Sequence, residues 1–203
     1  MYSYYHFIHP VFPFLPHDRS RLHSNLASVS TITRVAFFAA LNQVANPGRF
    51  NPVPSKRNET PHREPANLVA DLQHEHSASQ AVAEKLVVLQ TILLMILATD
   101  MSGPIISCYR GWYTQAYGAA AFLFGHLRRI RENGKRLNRD NDEHHLIARR
   151  AWLTFVTLEH WNAAGTASPS LCPDELTELV ADDRVLFGEL GYFLLRRYPF
   201  LPI

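Results

Sequence analysis

Cysteine is almost missing from this chain: Cys108 and Cys172 are the only two in 203 residues. Two thiols so far apart cannot staple a small fold, and a structural zinc module built on thiolates would draw on about four to six of them. They are expected as buried thiols in a reducing compartment. An excess of one charge is missing too. The 20 basic and 18 acidic residues leave a formal net charge of +2, with no concentration of positive charge to displace counterions along a phosphate backbone. No G-x-S-x-G, no glycine-rich phosphate cradle and no C-x-x-C occurs. No segment alternates apolar and polar residues in the manner of a half-buried strand. The N-terminus has no basic stretch ahead of an apolar one and no small-residue cleavage site, so no secretory signal is expected, which favours cytosol or nucleus. Long apolar runs are limited to Leu86–Ala98. Thirteen helical residues would reach about 20 Å, short of the roughly 30 Å hydrocarbon layer. A central helix buried on every side is the expectation there, and no membrane partner.

What is present is a core. The AVILMFWYC set makes up 47% and charged residues 19%, a composition that packs rather than disorders. The opening YYHFIHPVFPFLP reads as an aromatic helical turn that must yield before Pro10. A proline-punctuated stretch then runs through Pro13 and Pro16. Phe7, Phe12 and Phe14 are expected to pack onto later helices. Helix resumes from Ser20. Thr31 to Val44 repeats Ile32, Val35, Phe38, Ala39 and Asn42 at helical spacing and must end before Pro47-Gly48. Asn46 to Ser79 then changes character, with five prolines among polar residues, and reads as a mobile insertion. Ser79 can cap a helix to Thr99, with Asp100 to Pro104 as its break.

A second long helix is expected from Ile106 to Arg131. Its apolar side carries Tyr109, Trp112, Tyr113, Ala116, Ala120, Leu123, Phe124, Leu127 and Ile130, and its small residues, among them Gly111 and Gly118, allow close contact with a neighbour. Asn133-Gly134 would stop it. Asn138 to Glu143 reads as a polar loop before a third helix, His144 to Asn162, with Ile147, Ala151, Trp152, Phe155, Val156 and Leu158 inward. Gly165 to Pro173 reads as loop. Asp174 can cap a short turn, and a last helix is expected near Asp183 to Arg197. The fold class expected is all-α, an irregular multi-helix domain. It divides into residues 1–45 as the N-terminal helical part, 46–79 as a proline-rich polar insertion, and 80–203 as the helical core of the same domain, C-terminally truncated.

Candidate chemistry is sparse. Arg128, Arg129, Arg131, Lys135, Arg136 and Arg139 form the one basic concentration. Cations favoured near a helix C-terminus explain it first, with a nuclear-import patch or a nucleic-acid contact as alternatives. Asp140, Asp142, Glu143, His144 and His145 include metal-ligand types, but the spacing lacks the glycine and the distant glutamate of a calcium loop. An acidic helix start that complements the dipole accounts for them. His74 and His76 flank Glu75 inside the insertion and are expected to be solvated. Glu159 and His160 are adjacent and so should face different ways unless a tertiary partner orients them. No catalytic residue, cofactor-binding residue or metal ligand is assigned, and no cofactor and no enzyme activity are expected.

Three passages resemble one known family. Phe7-Ile8-His9-Pro10-Val11-Phe12-Pro13-Phe14-Leu15 resembles the start of the middle homology region of fungal zinc-cluster transcription factors, where an aromatic turn meets a His-Pro and a second hydrophobic-Pro. Val87 to Leu94 is similar to that region's buried Leu-Gln helix, followed by Gly111-Trp112-Tyr113 to Leu127. Ala148-Arg149-Arg150-Ala151-Trp152-Leu153-Thr154-Phe155 resembles the family's Arg-Arg-x-Trp-Trp signature and runs on through Leu158-Glu159-His160-Trp161 to Pro173-Asp174. Trp161 to Thr166 is similar to the branch that includes repressors of sugar-transporter genes. The resemblance implies a helical regulatory domain of a nuclear, RNA polymerase II-specific regulator. Such proteins read DNA through an N-terminal two-zinc, six-cysteine module, which the two cysteines here cannot build.

The chain departs from the family in carrying one tryptophan at Ala151 to Leu153 and Glu159-His160 in place of Asp-Arg. Arg149 or Arg150 is expected to pair with an acid on a neighbouring helix while Trp152 fills the core. The partners expected are proteins or a co-regulator, or a small-molecule effector, with no direct DNA binding by this chain. Two other readings stay open. One is a stand-alone helical interaction or effector-sensing protein without DNA binding. The other is an enzyme or ligand sensor built on His145, Glu159 or His160.

Overall fold

In the computed structural model the described residues are 4–45, 82–102, 109–132 and 139–172. Among them every regular element is helical: an opening turn of π-helix, Tyr4–Ile8, and five α-helices. These are α1 (Arg19–Ala27), α2 (Thr31–Ala45), α3 (Val82–Ser102), α4 (Tyr109–Glu132) and α5 (Arg139–Thr166). The fold is all-α and irregular. The expectations for Asn46 to Ser79, for Asn133-Gly134, and for Asp174 and the helix at Asp183 to Arg197 fall outside the described residues, as do the side chains of the basic cluster.

The centre is α3. It packs against α1, α2, α4 and α5, and every residue from Leu89 to Thr99 is buried. A helix apolar on all sides has no preferred outward face, so it is stable only where neighbours surround it. Its polar residues are satisfied inside the bundle. Thr91 and Thr99 donate to the Val87 and Met95 carbonyls at 2.7 and 2.8 Å, the back-bonding typical of threonine in helices. The length expected from Leu86–Ala98 needs correction. The helix has 21 residues and spans about 31 Å, long and apolar enough to cross a membrane by those measures. Of the apolar window, 78% is buried within the chain. The helix also runs through Asp100, Met101 and Ser102, because aspartate and serine weaken a last turn without ending it.

Around this axis α2 lies on one side. Its buried face is Thr33, Ala36, Phe37, Ala40, Leu41 and Val44, one residue out of phase with the expected stripe. Val35 and Phe38 remain 49% and 41% exposed while Phe37 is fully buried. The run ITRVAFFAAL is apolar on nearly every side, so periodicity chooses no face. A polar contact chooses it instead: the Glu84 carboxylate on α3 accepts from Ser30 N–H at 3.0 Å and from the Thr33 hydroxyl. A carboxylate at a helix N-terminus satisfies orphan donors and complements the dipole, and Thr33 must face α3 to reach it.

On the other side, α4 presents Tyr113, Ala116, Ala119, Ala120 and Leu123 to the core. The Tyr113 hydroxyl donates to the Leu158 carbonyl of α5 at 3.1 Å. Of the small residues expected to allow close approach, Gly111 and Gly118 do not mediate it. A Cβ at each would meet open space, and the alanines make the contact. In α5 the expected core side is buried in full: Ile147, Ala151, Trp152, Phe155, Val156 and Leu158. This helix starts at Arg139 and extends to Thr166, so Asp140 to Glu143 lie in its first turns rather than in a loop. Its end is set by Ala167, at φ 51°, with Ser168 N–H reaching back to the Ala163 carbonyl at 3.0 Å. That 6→1 bond and left-handed residue form a Schellman-type stop, here on alanine rather than on Gly165.

Candidate functional site

Two polar clusters stand out against this apolar bundle, one at each end of the described chain. The first is made by the residues before α1. Pro10, Pro13 and Pro16 deny the backbone a helix, so residues 9–17 turn and then run on as a non-helical strap. It is held by hydrogen bonds to its own carbonyls: Tyr4 donates to the Phe12 carbonyl at 2.9 Å and Tyr5 to the Pro16 carbonyl at 2.7 Å. Gln90, buried in α3, donates to the Phe14 carbonyl at 2.7 Å. Phe14 and Leu15 are buried and Phe12 is half-buried, with its ring edge-on to Trp161 of α5 at 5.9 Å. Phe7, expected in the core, is 69% exposed. Tyr4 takes the inner position instead, since its hydroxyl can be satisfied by the strap.

Within the strap the rings of Tyr4, Tyr5, His9 and His17 lie within 5.1–5.7 Å of one another along the contacts Tyr4–His9, Tyr5–His9 and His9–His17. Burial, with smaller contributions from His17 and Arg150, pushes the His9 imidazole down to about 4. It is therefore neutral at neutral pH. The Tyr4 phenol is held well above its ordinary value by burial. Arg150, from α5, is close enough to act electrostatically on both Tyr4 and His9. The expected ion pair is not what Arg150 makes: it has no ion pair or hydrogen bond with a described residue, and its Nε is buried without a partner. Burial lowers its own proton affinity, an effect Tyr4 opposes. Arg149 is half-buried and engaged, and Trp152 fills the core as expected.

The second cluster closes the far end of α5. Glu159 is buried, and its carboxylate accepts from the Ser170 hydroxyl and from Leu171 N–H, each at 2.7 Å. His160 does not point away as adjacency suggests. The turn at Ala167 folds the following residues back, and Ser170 Oγ comes within 3.2 Å of His160 Nε2. Serine, histidine and glutamate together are the residue types of a hydrolytic triad, but their bonding is different. The Ser170 proton goes to the carboxylate, and Ser170 Oγ accepts from Cys172 N–H at 3.1 Å. The His160 Nδ1 lies 2.8 Å from the Val156 carbonyl and so is spent as a donor, with Glu159 at 3.9 Å. A relay needs the carboxylate on Nδ1 and the serine proton on Nε2. This cluster is a latch that fastens residues 168–172 to the helix. Cys172 lies buried beside it, and burial together with Glu159 pushes the thiol up to about 12, so it is no nucleophile.

The remaining candidates are not brought together. His145 is half-buried on α5 and engaged in its own surroundings. The side chains of Asp140, Asp142, Glu143 and His144, and the whole of His74 to His76, fall outside the described residues. Among those described, no three metal-ligating side chains converge.

Against known proteins, no family model and no solved structure matches this chain. A curated protein of Schizosaccharomyces pombe, named an uncharacterized transcriptional regulatory protein, is 27% identical over 199 residues. That alignment takes in 95% of this chain and 22% of the relative, so the chain spans about a fifth of the relative's length. The likeness links the chain to fungal transcriptional-regulatory proteins at a general level.

Proposed function

We propose that this chain is a regulatory domain of a fungal RNA polymerase II transcription factor, working in the nucleus and binding no DNA itself. The observation that carries the reading is the likeness to a transcriptional regulatory protein along nearly the whole chain. The sequence features point the same way: the His-Pro strap, the buried Leu-Gln helix and the Arg-Arg-x-Trp passage occur in the order of the zinc-cluster factors' middle region. An all-helical bundle with a latch in place of a relay suits a domain that receives a signal and passes it on through protein contacts. Val35 and Phe38, apolar and outward on α2, would serve such contacts.

The test is to tether the full chain to a heterologous DNA-binding module in yeast and to follow a reporter, together with the location of a fluorescent fusion. A change in reporter output that depends on the tether, with nuclear fluorescence, is expected. An inert tether and a cytoplasmic fusion would refute the reading and leave a stand-alone interaction protein in its place.

A further inference from the structure

We propose that Ser168 is a phosphorylation site for a proline-directed protein kinase, and that a phosphate there releases residues 168–172 from the end of α5. The chain holds one Ser-Pro, at Ser168-Pro169. Ser168 is also the residue whose N–H closes the stop of α5 on the Ala163 carbonyl, and its hydroxyl accepts from the Thr166 hydroxyl at 3.0 Å. Every residue from Ala164 to Leu171 is exposed or half-buried, so this segment is held by polar contacts more than by apolar burial. Segments of that kind open locally at low cost. The left-handed Ala167 adds a strain that opening relieves. An accessible strip that can be drawn out straight is what an enzyme acting on a side-chain hydroxyl requires.

Pro169 defines the class of kinase. Proline brings no N–H, so a pocket beside the acceptor serine that is apolar and offers no hydrogen-bond acceptor takes proline. Any other residue would bury an unpaired N–H there. The step moves the γ-phosphoryl group of a nucleoside triphosphate. Its bond to the β-phosphate oxygen breaks, a bond to Ser168 Oγ forms, the diphosphate leaves, and the hydroxyl proton goes to the kinase's base.

The product carries nearly two negative charges at neutral pH, and their position decides the consequence. The last carbonyls of α5 form the negative end of its dipole. Two residues on, Ser170 and Leu171 are bound to the buried Glu159 carboxylate, and two trans peptide units put the Ser168 and Ser170 Cα atoms no more than about 7.6 Å apart. From Asn162 to Cys172 the sequence has no lysine or arginine to receive a phosphate. Repulsion from both sources favours the released form, and release uncovers Cys172, which is 4% exposed. The site deepens the regulatory reading by naming an input, and rests on it only for the use made of the change.

The test uses the full chain, MgATP and two purified proline-directed kinases, one mitogen-activated and one cyclin-dependent. Mass spectrometry of the peptides locates the phosphate and separates Ser168 from Thr60-Pro61, the chain's Thr-Pro. Phosphate on Ser168 is expected, at least about tenfold slower in Pro169→Ala, as one buried unpaired N–H would cost. No phosphate on Ser168 from either kinase overturns the site, and an equal rate in Pro169→Ala overturns the class. Release is read as the rate of Cys172 alkylation by iodoacetamide, mapped apart from Cys108. Phosphorylation should raise that rate about tenfold, and the same treatment of Ser168→Ala should leave it unchanged. The factor should shrink in about 1 M sodium chloride, which screens charges at this range, and in Glu159→Gln, whose amide repels nothing. A rate unchanged or slowed by the phosphate, as docking on His160 would produce, overturns the release. A factor undiminished by salt and in Glu159→Gln overturns repulsion as its cause. Each readout is taken on the isolated chain, so it can fail while the tethered reporter responds, and the reverse.

Discussion

Helices α2 and α5 invite comparison because each is expected to bury one stripe, and only α5 buries the residues its spacing names. The first is apolar nearly all round, yet only one face is covered, and that face is rotated from the pattern. The second mixes charges and aromatics, yet every residue from Ala151 to Glu159 is buried. The difference lies in what fixes each helix. Where apolar residues occur at every position, hydrophobic burial is indifferent to rotation and a single polar contact decides. Where large aromatics sit at helical spacing, as Trp152 and Phe155 do, packing decides, and the polar residues find partners afterwards.

The largest effect that would break this comparison comes from two neighbouring rings. Phe37→Ala should cost about 3–5 kcal/mol, as truncating a buried aromatic does, and Phe38→Ala about 1 kcal/mol or less. Urea denaturation of the two variants would measure both. Equal losses would mean that α2 is rotated from the orientation described. Next is the contact that sets the rotation. Glu84→Ala removes a carboxylate shared by Ser30 and Thr33 and is expected to cost about 2 kcal/mol, read in the same experiment. Hydrogen exchange should rise selectively in the first turn of α2.

A third outcome concerns the strap against α5 and depends on pH. His9 is depressed to about 4 from an ordinary value near 6.5. The unfolded chain therefore binds a proton that the folded chain refuses as pH falls below about 6.5. The contribution of His9 to stability is intact above that value and is lost progressively down to about pH 4, where the loss levels off. Melting temperatures of wild type and His9→Phe across that range should converge on the acid side, the wild type having the steeper slope. The smallest effect sits at the end of α5. Ala167 holds a left-handed φ of 51°, which glycine adopts without the Cβ clash, so Ala167→Gly should stabilise the chain by about 1 kcal/mol. No gain in melting temperature would argue against the stop described.

Much of the fold was legible because strong patterns have local causes. Prolines end the opening turn, the apolar run at Leu86–Ala98 becomes the axis, and the inward residues of α5 are those its spacing names. The misses also have causes. Phe7 is expected inside because it is apolar, but Tyr4 takes that position, with a hydroxyl the strap satisfies. The spacing ends the last described helix near Asn162 with loop from Gly165, whereas the helix runs to Thr166 and stops at Ala167. Asp140 to Glu143 read as loop because polar residues suit loops, and acidic residues suit the first turn of a helix equally well. The candidate site was less legible. Glu159 and His160 are adjacent and expected to face apart unless a tertiary partner orients them, and that partner, Ser170, is set by a turn no local pattern announces.

Composition and periodicity by themselves determined the class of this protein: an apolar, helical bundle around one largely buried axis, with too few thiols for a zinc module of its own. Those properties follow from each residue and its neighbours within a turn or two, where steric and hydrophobic preferences act. Tertiary structure alone decided which face α2 turns inward, which carboxylate meets its first turn, and that Ser170 folds back onto Glu159. These depend on groups far apart in the chain meeting in three dimensions, and on the rule that a buried polar atom must find a partner wherever one comes within reach.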